Sequence, residues 1–373
     1  MIYFDNSATG GFKPRSVTDT AENIIRYLSA NPGRSGHRLS VTGANIVYDT
    51  RKILGDFFNA SPERVIFTKN CTEALNTAIL GSVKPYGHII TTCLEHNSVL
   101  RPLYHLNRQG LISLTIVYPK NGDYINEIKK AINDKTYMII TTSISNVTGE
   151  SLPIEEIATL AKERNLKYLV DGAQGGGHIP ISCNDGISML ALAGHKGLYG
   201  IMGSGALILS DDIEVSPLTF GGTGTETFNE KQPENYPEKL ESGTLNLPAV
   251  ASLFEGVRYV KNNFKNFSEI LSKRTERVIG ALSEIDNITV YSKPNPAGIV
   301  SFKFNNIESI DAAEILNKDY DVAVRGGFHC APLVHKNLKT DKEGLVRASF
   351  SAQNSDREIA FFINAIYEIA RRN

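Results

Sequence analysis

The stretch Tyr168-Leu169-Val170-Asp171-Gly172-Ala173-Gln174 has the form of a short buried strand that ends in a carboxylate and a tight turn. It is one of several short runs of this kind in the sequence. From about residue 64 to residue 210, short apolar or β-branched runs alternate with segments whose apolar residues have helical spacing. Strands that alternate with crossover helices form a mostly parallel sheet covered on both faces. The pattern predicts an α/β fold with Asp171 at the carboxyl edge of the sheet.

The pattern changes after about residue 237, where long helical segments precede a new set of strands. The sequence therefore predicts a large α/β domain over residues 14–250 and a smaller α+β domain over residues 251–373, which also takes in residues 1–13. The predicted strands are 65–68, 88–92, 114–117, 137–141, 168–170, 206–209, 288–291, 299–304, 322–324 and 346–350. The predicted helices are 73–80, 99–109, 124–132, 154–164, 249–262, 267–285, 311–317 and 356–371.

Composition narrows the class of protein. With 373 residues the chain exceeds the usual size of one hydrophobic core, so two domains are expected. The net charge of -1 favours neither nucleic acid nor an anionic membrane as a partner. No stretch resembles a signal peptide or a bilayer-spanning segment, and four scattered cysteines without CxxC spacing argue against zinc and disulfides. We expect a cytoplasmic protein that acts on a small molecule.

A lysine closes a second apolar run. Lys196 follows residues 189–193 in the sequence Gly194-His195-Lys196-Gly197, so it and Asp171 both lie at strand ends. Pyridoxal phosphate requires such a pair, since an amine forms a Schiff base with its aldehyde and a carboxylate keeps its pyridine nitrogen protonated. Gln174 could donate to the phenolate oxygen of the ring. Each residue has an alternative structural explanation. Asp171 could cap the following turn, Lys196 could extend its amine to solvent, and Gln174 could be a surface amide.

Two further strand ends carry polar side chains. Asn70-Cys71-Thr72-Glu73 follows a strand and begins a helix, where free backbone N–H groups could bind a phosphate. An N-cap by Thr72 is the alternative. His96, in Glu95-His96-Asn97-Ser98, could stack on a cofactor ring or transfer protons, although a capping or core histidine is the commoner meaning.

The second predicted domain contributes a thiol and an arginine. Cys330 lies in the glycine-rich stretch Arg325-Gly326-Gly327-Phe328-His329-Cys330, where Arg325 and His329 could lower the pKa of the thiol. Because this loop is not an apolar run, we favour a functional cysteine over a buried inert one. Arg347 interrupts a buried strand and needs an anion, which could be a substrate carboxylate or an internal carboxylate partner.

These segments together resemble the class V aminotransferase superfamily of fold-type I pyridoxal phosphate enzymes, most closely its cysteine desulfurase and selenocysteine lyase branch. The resemblance covers nearly the whole chain and implies a mostly parallel seven-stranded sheet plus a smaller C-terminal α+β domain. The segments that carry it are Phe4-Asp5-Asn6-Ser7-Ala8-Thr9, Thr72-Glu73-Ala74, Glu95-His96-Asn97, Ser145-Asn146-Val147-Thr148-Gly149, Asp171-Gly172-Ala173-Gln174, Gly194-His195-Lys196, Glu241-Ser242-Gly243-Thr244 and residues 325–332.

The resemblance also implies roles for single residues. Lys196 would form the Schiff base, Asp171 would bind the pyridine nitrogen, Gln174 the phenolate oxygen, and His96 would stack on the ring. Thr72 and His195 would hold the phosphate, Cys71 would be a further cofactor-binding residue, and Thr244 would reach the phosphate from the partner subunit of a homodimer. The substrate would be positioned by Asn146, Arg325 and Arg347, with Arg347 on its carboxylate. Ala193 stands where related desulfurases usually carry a phosphate-binding serine.

The activity implied is that of a pyridoxal phosphate-dependent cysteine desulfurase. L-Cysteine would become L-alanine, and Cys330 would carry the sulfur as a persulfide for a sulfur-acceptor protein. The alternatives within the superfamily are a selenocysteine lyase, a cysteine or cystine C–S β-lyase and an aminotransferase, in which Cys330 has no role. A nucleotide-binding or scaffolding protein on the same sheet is the alternative from another class.

Overall fold

The structure is a computed structural model that describes residues 1–119 and 122–372. Its strands are β1 (Ile2–Tyr3), β2 (Val65–Thr68), β3 (Gly87–Thr92), β4 (Ile112–Val117), β5 (Thr136–Thr142), β6 (Lys167–Asp171), β7 (Met189–Ala193), β8 (Gly205–Leu209), β9 (Ile288–Val290), β10 (Ile299–Phe304), β11 (Val322–Ala323), β12 (Arg325–Gly327) and β13 (Leu345–Ser349). Its helices are α1 (Arg15–Tyr27), α2 (Arg38–Phe58), α3 (Cys71–Gly81), α4 (Asn97–Arg108), α5 (Tyr124–Ala131), α6 (Ile154–Glu163), α7 (Leu247–Ser283), α8 (Ser309–Tyr320), α9 (Pro332–Leu338) and α10 (Asp356–Arg372).

Seven strands form the main sheet, in the order β2-β8-β7-β6-β5-β3-β4. Strand β8 is antiparallel to both of its neighbours, and the other pairs are parallel. All five residues of β7 and of β8 are buried, as expected for strands with helices on both faces. Separate apolar clusters lie on the two sides of the sheet. The predicted α/β fold with a mostly parallel sheet is confirmed.

A second, four-stranded antiparallel sheet has the order β12-β13-β10-β9. Its core includes residues of α7, α8 and α10. Phe4 inserts into this core and makes edge-to-face contacts with Phe350 and Phe362, at ring-centroid distances of 4.9 and 5.3 Å. Strand β1 pairs with β11 in parallel. The first residues of the chain are therefore fixed to its C-terminal part.

The two helical segments predicted over residues 249–262 and 267–285 are one continuous helix, α7, of 37 residues. The prediction of a break was wrong because the polar residues between the segments include neither glycine nor proline, and helical propensity alone does not end a helix there. The domain boundary predicted after residue 250 falls inside α7. Helices α1, α2 and α9 were not predicted.

A buried ion pair fixes the long segment between β8 and α7 to helix α2. Arg51 and Glu241 form a bidentate pair, with Nη1–Oε1 at 2.9 Å and Nη2–Oε2 at 2.6 Å, and both side chains are only 7% exposed. Glu241 also accepts a hydrogen bond from the Phe67 amide at 2.6 Å, and the guanidinium lies 4.6 Å from the centre of the Phe67 ring. This pair positions the loop that contains Thr244.

We expect Arg51→Met or Glu241→Gln to lower the unfolding free energy by about 3 kcal/mol, because each leaves a buried group without its partner. The double variant Arg51→Met/Glu241→Met should lose less than the sum of the single losses. Urea denaturation of the four proteins measures both quantities. Additive losses would show that the two side chains stabilise the fold independently.

Candidate active site

The polar side chains gather at the carboxyl ends of the main-sheet strands. Strand β6 ends at Asp171, β7 ends three residues before Lys196, and β3 ends shortly before His96. The carboxyl ends of parallel strands meet at one edge of a sheet, and ligands of such folds bind there. The β12–β13 sheet adds Arg325, Arg347 and the loop that carries Cys330.

Lys196 has an amine with a lowered pKa. Burial is the main cause, and the positive charges of Arg347 and Arg325 lower it further, while Cys71 and Asp171 oppose the shift. Within residues 1–119 and 122–372 its Nζ makes no hydrogen bond or ion pair. The structure thus offers a partly desolvated, unpaired amine, which is the state in which a lysine is nucleophilic.

Asp171 is 2% exposed. Its Oδ1 accepts hydrogen bonds from the Ala173 amide at 2.9 Å and from the Cys71 thiol at 3.4 Å. The turn-capping alternative is therefore correct for this one oxygen. Its Oδ2 accepts no hydrogen bond from the described residues. A buried carboxylate with one free oxygen is suited to a cationic partner.

Helix α3 is capped by Asn70, whose side chain accepts a hydrogen bond from the Glu73 amide at 2.9 Å. The alternative that Thr72 caps the helix is wrong. The Thr72 hydroxyl instead lies 2.8 Å from the Ser98 hydroxyl, which lies 2.8 Å from Nδ1 of His96. The first turn of α3 and two hydroxyl groups thus face a site that could hold an anion.

His96 is both a helix cap and a site residue. Its Nδ1 accepts a hydrogen bond from the Ser98 amide at 3.1 Å, so the neutral ring carries its proton on Nε2. Burial lowers the pKa of His96 to about 4, and the cations of Lys196, Arg325 and Arg347 contribute, while Asp171 opposes them. The imidazole is therefore neutral at physiological pH.

Residues 4–13, which we call the N-terminal strap, contact two of the predicted cofactor residues. The Gln174 side chain is 4% exposed and donates to the Ser7 carbonyl at 3.0 Å, so it is not a surface amide. Nδ1 of His195 lies 3.0 Å from the Thr9 hydroxyl. The His195 carbonyl accepts from the Gly10 amide and from Nζ of Lys13, both at 3.0 Å. Burial lowers the pKa of Lys13 to about 8.

Arg347 is 1% exposed and bonds inside the chain. Its Nη2 lies 2.7 Å from Oδ1 of Asp5, and its Nη1 donates to the Asn146 carbonyl at 3.0 Å. Its Nε is buried without a hydrogen-bond partner among the described residues. The internal ion pair that the sequence left as an alternative is therefore present, and the Nε–H of the guanidinium stays open among the described residues.

Cys330 is exposed, whereas the other three cysteines are buried, and all four are free thiols. Both Cys330 and His329 have left-handed backbone conformations, with φ of +58° and +49°. Nη2 of Arg325 lies 3.8 Å from the sulfur. The ring of His329 turns away to the Leu345 carbonyl at 3.0 Å, so Arg325 is the cation that faces the thiol. Cys330, Thr72 and His96 line one cavity.

Thr244 does not join this group in the described chain. It is exposed, lies within 3.4 Å of the Asn31 side chain, and lines a different cavity with Thr68 and Glu73. The structure therefore brings Lys196, Asp171 and Cys71 together and leaves Thr244 apart.

Glu95 is a buried carboxyl group next to His96 that the sequence did not single out. It is fully buried, and burial raises its pKa to about 8. Its Oε1 accepts hydrogen bonds from the Thr92 hydroxyl at 2.6 Å and the Thr142 amide at 3.0 Å, so it links the ends of β3 and β5. Its position three residues after the end of β3 was the signal that could have found it.

The open groups match the functional groups of pyridoxal phosphate. An unpaired amine on Lys196, a free oxygen on buried Asp171 and the hydroxyl-lined start of α3 fit an aldehyde, a pyridine nitrogen and a phosphate. In residues 1–119 and 122–372, no cluster of three or more His, Cys, Asp or Glu residues suited to a metal occurs. In the same residues we find no helix with the length and apolar character needed to span a bilayer.

The exposures of the thiols predict selective labelling. Iodoacetamide at pH 8 should modify Cys330 alone in the native protein, because burial raises the pKa of Cys71, and raises that of Cys93 and Cys183 to about 12. Mass spectrometry of peptides should show one modified site before denaturation and four after it. Modification of Cys71 in the folded protein would contradict the buried position beside Asp171.

The histidines predict a loss of stability in acid. Burial lowers the pKa values of His96 and His195 to about 4 from the usual 6.5. Between these values the unfolded chain binds more protons than the folded chain, so the unfolding free energy falls as the pH drops from 6.5 to 4. Urea unfolding of His195→Gln should show a shallower fall, by about one proton. The exposed His105→Gln is the matched control, and an equal slope in all three proteins would refute the assignment.

The chain matches proteins of known families over its full length. The model of the aminotransferase class-V family matches residues 2–362. A probable cysteine desulfurase of Methanothermobacter thermautotrophicus is 31% identical, over 99% of this chain and 94% of that protein. A probable cysteine desulfurase of Pyrococcus abyssi is 32% identical, over 100% and 94%.

A solved structure resembles this chain in both fold and sequence. The apo structure of a cysteine desulfurase from Thermococcus onnurineus has a TM-score of 0.93 and 30% identity, and the match covers 100% of this chain and 95% of that one. Sequence identity, fold and family model agree over the length of the chain. This chain belongs to the aminotransferase class-V family.

Proposed function

We propose that this chain is a pyridoxal phosphate-dependent cysteine desulfurase, which converts L-cysteine to L-alanine and takes the sulfur onto Cys330. The observation that carries the proposal is the position of Cys330, an exposed thiol beside Arg325 that lines one cavity with His96 and Thr72. The similar proteins named cysteine desulfurase support it. A free thiol fits a reducing compartment such as the cytoplasm.

The cofactor would be held by the groups that the chain leaves open. Lys196 would form the Schiff base, Asp171 would hold the proton on the pyridine nitrogen, Gln174 would face the phenolate oxygen, and His96 would stack on the ring. The start of α3, with Cys71, Thr72 and the nearby His195, would surround the phosphate. Pyridoxal phosphate, when bound, supplies an electron sink for the negative charge that develops at Cα of an amino acid.

The proposed substrate-binding residues come from the loop after β5 and from strands β12 and β13 of the small sheet. Arg347 would bind the carboxylate, Asn146 would position the amino acid, and Arg325 would keep the thiol of Cys330 near a positive charge. We further propose that residues 14–250 act as the cofactor domain and that residues 251–373 with 1–13 act as the thiol-bearing domain. Thr244 would reach the phosphate of the partner subunit in a homodimer, because it is exposed and apart from Lys196.

The chemical work divides between an amine and a thiol. The amine of Lys196, whose pKa burial lowers, removes the Cα proton of the bound cysteine as a general base. The Cys330 thiolate attacks the substrate sulfur, so an S–S bond forms as the Cβ–S bond breaks. The electron pair of the broken bond remains with the carbon fragment, which takes up protons and leaves as alanine. Cys330 keeps the sulfur as a persulfide, which an acceptor protein would then remove.

With dithiothreitol present to reduce the persulfide and release sulfide, Cys330→Ala should lower alanine and sulfide production by at least about a hundredfold, since it removes the nucleophile. It should keep the absorbance of the Schiff base, because Lys196 is intact. Lys196→Ala should lose both. Alanine, pyruvate, sulfide and selenide are scored with L-cysteine, cystine and selenocysteine as substrates, alongside absorbance spectra.

Cys183→Ala is the matched control, since it removes a buried thiol outside the site and should stay active. Alanine and sulfide formed by Cys330→Ala at the wild-type rate would overturn the thiol step. Pyruvate in place of alanine from the wild-type protein would identify a C–S β-lyase instead.

A further inference from the structure

Asp5 forms an ion pair with Arg347, the arginine to which we assign the substrate carboxylate. Its Oδ1 lies 2.7 Å from Nη2 of Arg347, and the two side chains are 23% and 1% exposed. The bond crosses the whole chain, since 342 positions separate the two residues. A guanidinium buried this deeply is costly without a negative partner. Asp5 supplies that partner when no amino acid is bound.

A second carboxylate would compete with Asp5 for the same nitrogen. A carboxylate binds a guanidinium bidentately through either Nε with Nη2 or Nη1 with Nη2, and both edges include Nη2. Nη2 is the atom that bonds Asp5, while Nη1 bonds the Asn146 carbonyl and the buried Nε has no hydrogen-bond partner among the described residues. Because Nη2 carries one N–H on each edge, a bidentate substrate carboxylate would either replace Asp5 or share Nη2 with it, and sharing would place two negative charges side by side on one guanidinium.

The strap connects this competition to the cofactor residues. Two residues after Asp5, the Ser7 carbonyl accepts from Gln174, and two residues further on, Thr9 contacts His195. The Ser7 amide also donates to the Ser349 hydroxyl at 2.9 Å, close to Arg347 along β13. Asp5 and the residues that contact Gln174 and His195 therefore lie within one backbone segment of five residues, 5–9.

We propose that Asp5 is a positioning residue that stands in for the substrate carboxylate at Arg347 and is displaced when an amino acid binds. It acts through Arg347 and sets how tightly the site holds amino acids. The proposal rests on the proposed function only in that Arg347 binds a carboxylate. Removing the charge of Asp5 frees the guanidinium for the ligand while the isosteric amide keeps a hydrogen-bond acceptor in place.

The test compares two ligands in the holoenzyme. Asp5→Asn should lower the Kd of L-alanine by about tenfold, because one unit charge no longer competes at contact distance. Ethylamine, which lacks the carboxylate, should bind with unchanged affinity. Titrations followed by cofactor absorbance give both constants, and steady-state assays with L-cysteine should show a lower KM with a smaller change in kcat.

Two variants serve as controls. Asp5→Glu keeps the charge and should restore the wild-type affinity ratio of L-alanine to ethylamine. Asp19→Asn removes the charge of an exposed carboxylate that pairs with Arg15 in α1, and it should change neither constant. Weaker or unchanged L-alanine binding in a folded Asp5→Asn protein would overturn the proposal, and so would an equal shift for both ligands, since a purely structural role moves them together.

A measurement on the wild-type holoenzyme covers the case in which Asp5→Asn does not fold. Hydrogen exchange of residues 5–9 should become faster when L-alanine saturates the site, because displacement of Asp5 releases one end of the strap. Unchanged or slower exchange would overturn the proposal. If the wild-type protein makes no alanine and sulfide from cysteine, the proposed function fails while the ligand comparison still tests Asp5.

Discussion

Ionisable groups buried at the carboxyl edge of the main sheet each require an opposite charge or a hydrogen bond, and this requirement organises the site. Asp171, Arg347 and Glu95 are all at most 2% exposed. Hydrogen bonds within residues 1–119 and 122–372 satisfy each of them in part and leave at least one atom without a partner, as in the Nε of Arg347 and the Oε2 of Glu95. Buried polar atoms of this kind are costly. A site that leaves several of them open is built to receive a polar ligand.

The N-terminal strap supplies hydrogen-bond and ion-pair partners to several of the polar groups at the site. Its residues come from the start of the chain, yet they bond Arg347 of β13 and the turn that carries Lys196. Phe4 anchors the strap in the second core, so its polar residues are held at the site by apolar packing. The strap therefore links the packing of the small sheet with the orientation of the cofactor residues.

Local patterns carried most of what the sequence could predict. Asp171 and Lys196 follow apolar runs, so their places at strand ends are visible within a few residues. The partners of these groups are not visible in this way, because 342 positions separate Asp5 from Arg347 and 186 separate Thr9 from His195. Helix α1 has no side-chain cap, which removes the usual sign of a helix start. The continuity of α7 could be predicted only from the absence of glycine and proline between the two predicted helices, and the absence of a helix-breaking residue is a weak indication of a continuous helix.

The left-handed backbone conformation at Cys330 lowers the stability of the fold at the same position that carries the proposed nucleophile. A residue other than glycine in this conformation costs about 1 kcal/mol, and His329 beside it carries the same cost. Glycine would relax both positions. A sequence chosen for thermal resistance alone would therefore place glycine at 330 and discard the only exposed sulfur of a cysteine in the described chain. Engineering that aims to raise the thermal stability of this protein should therefore leave His329 and Cys330 unchanged.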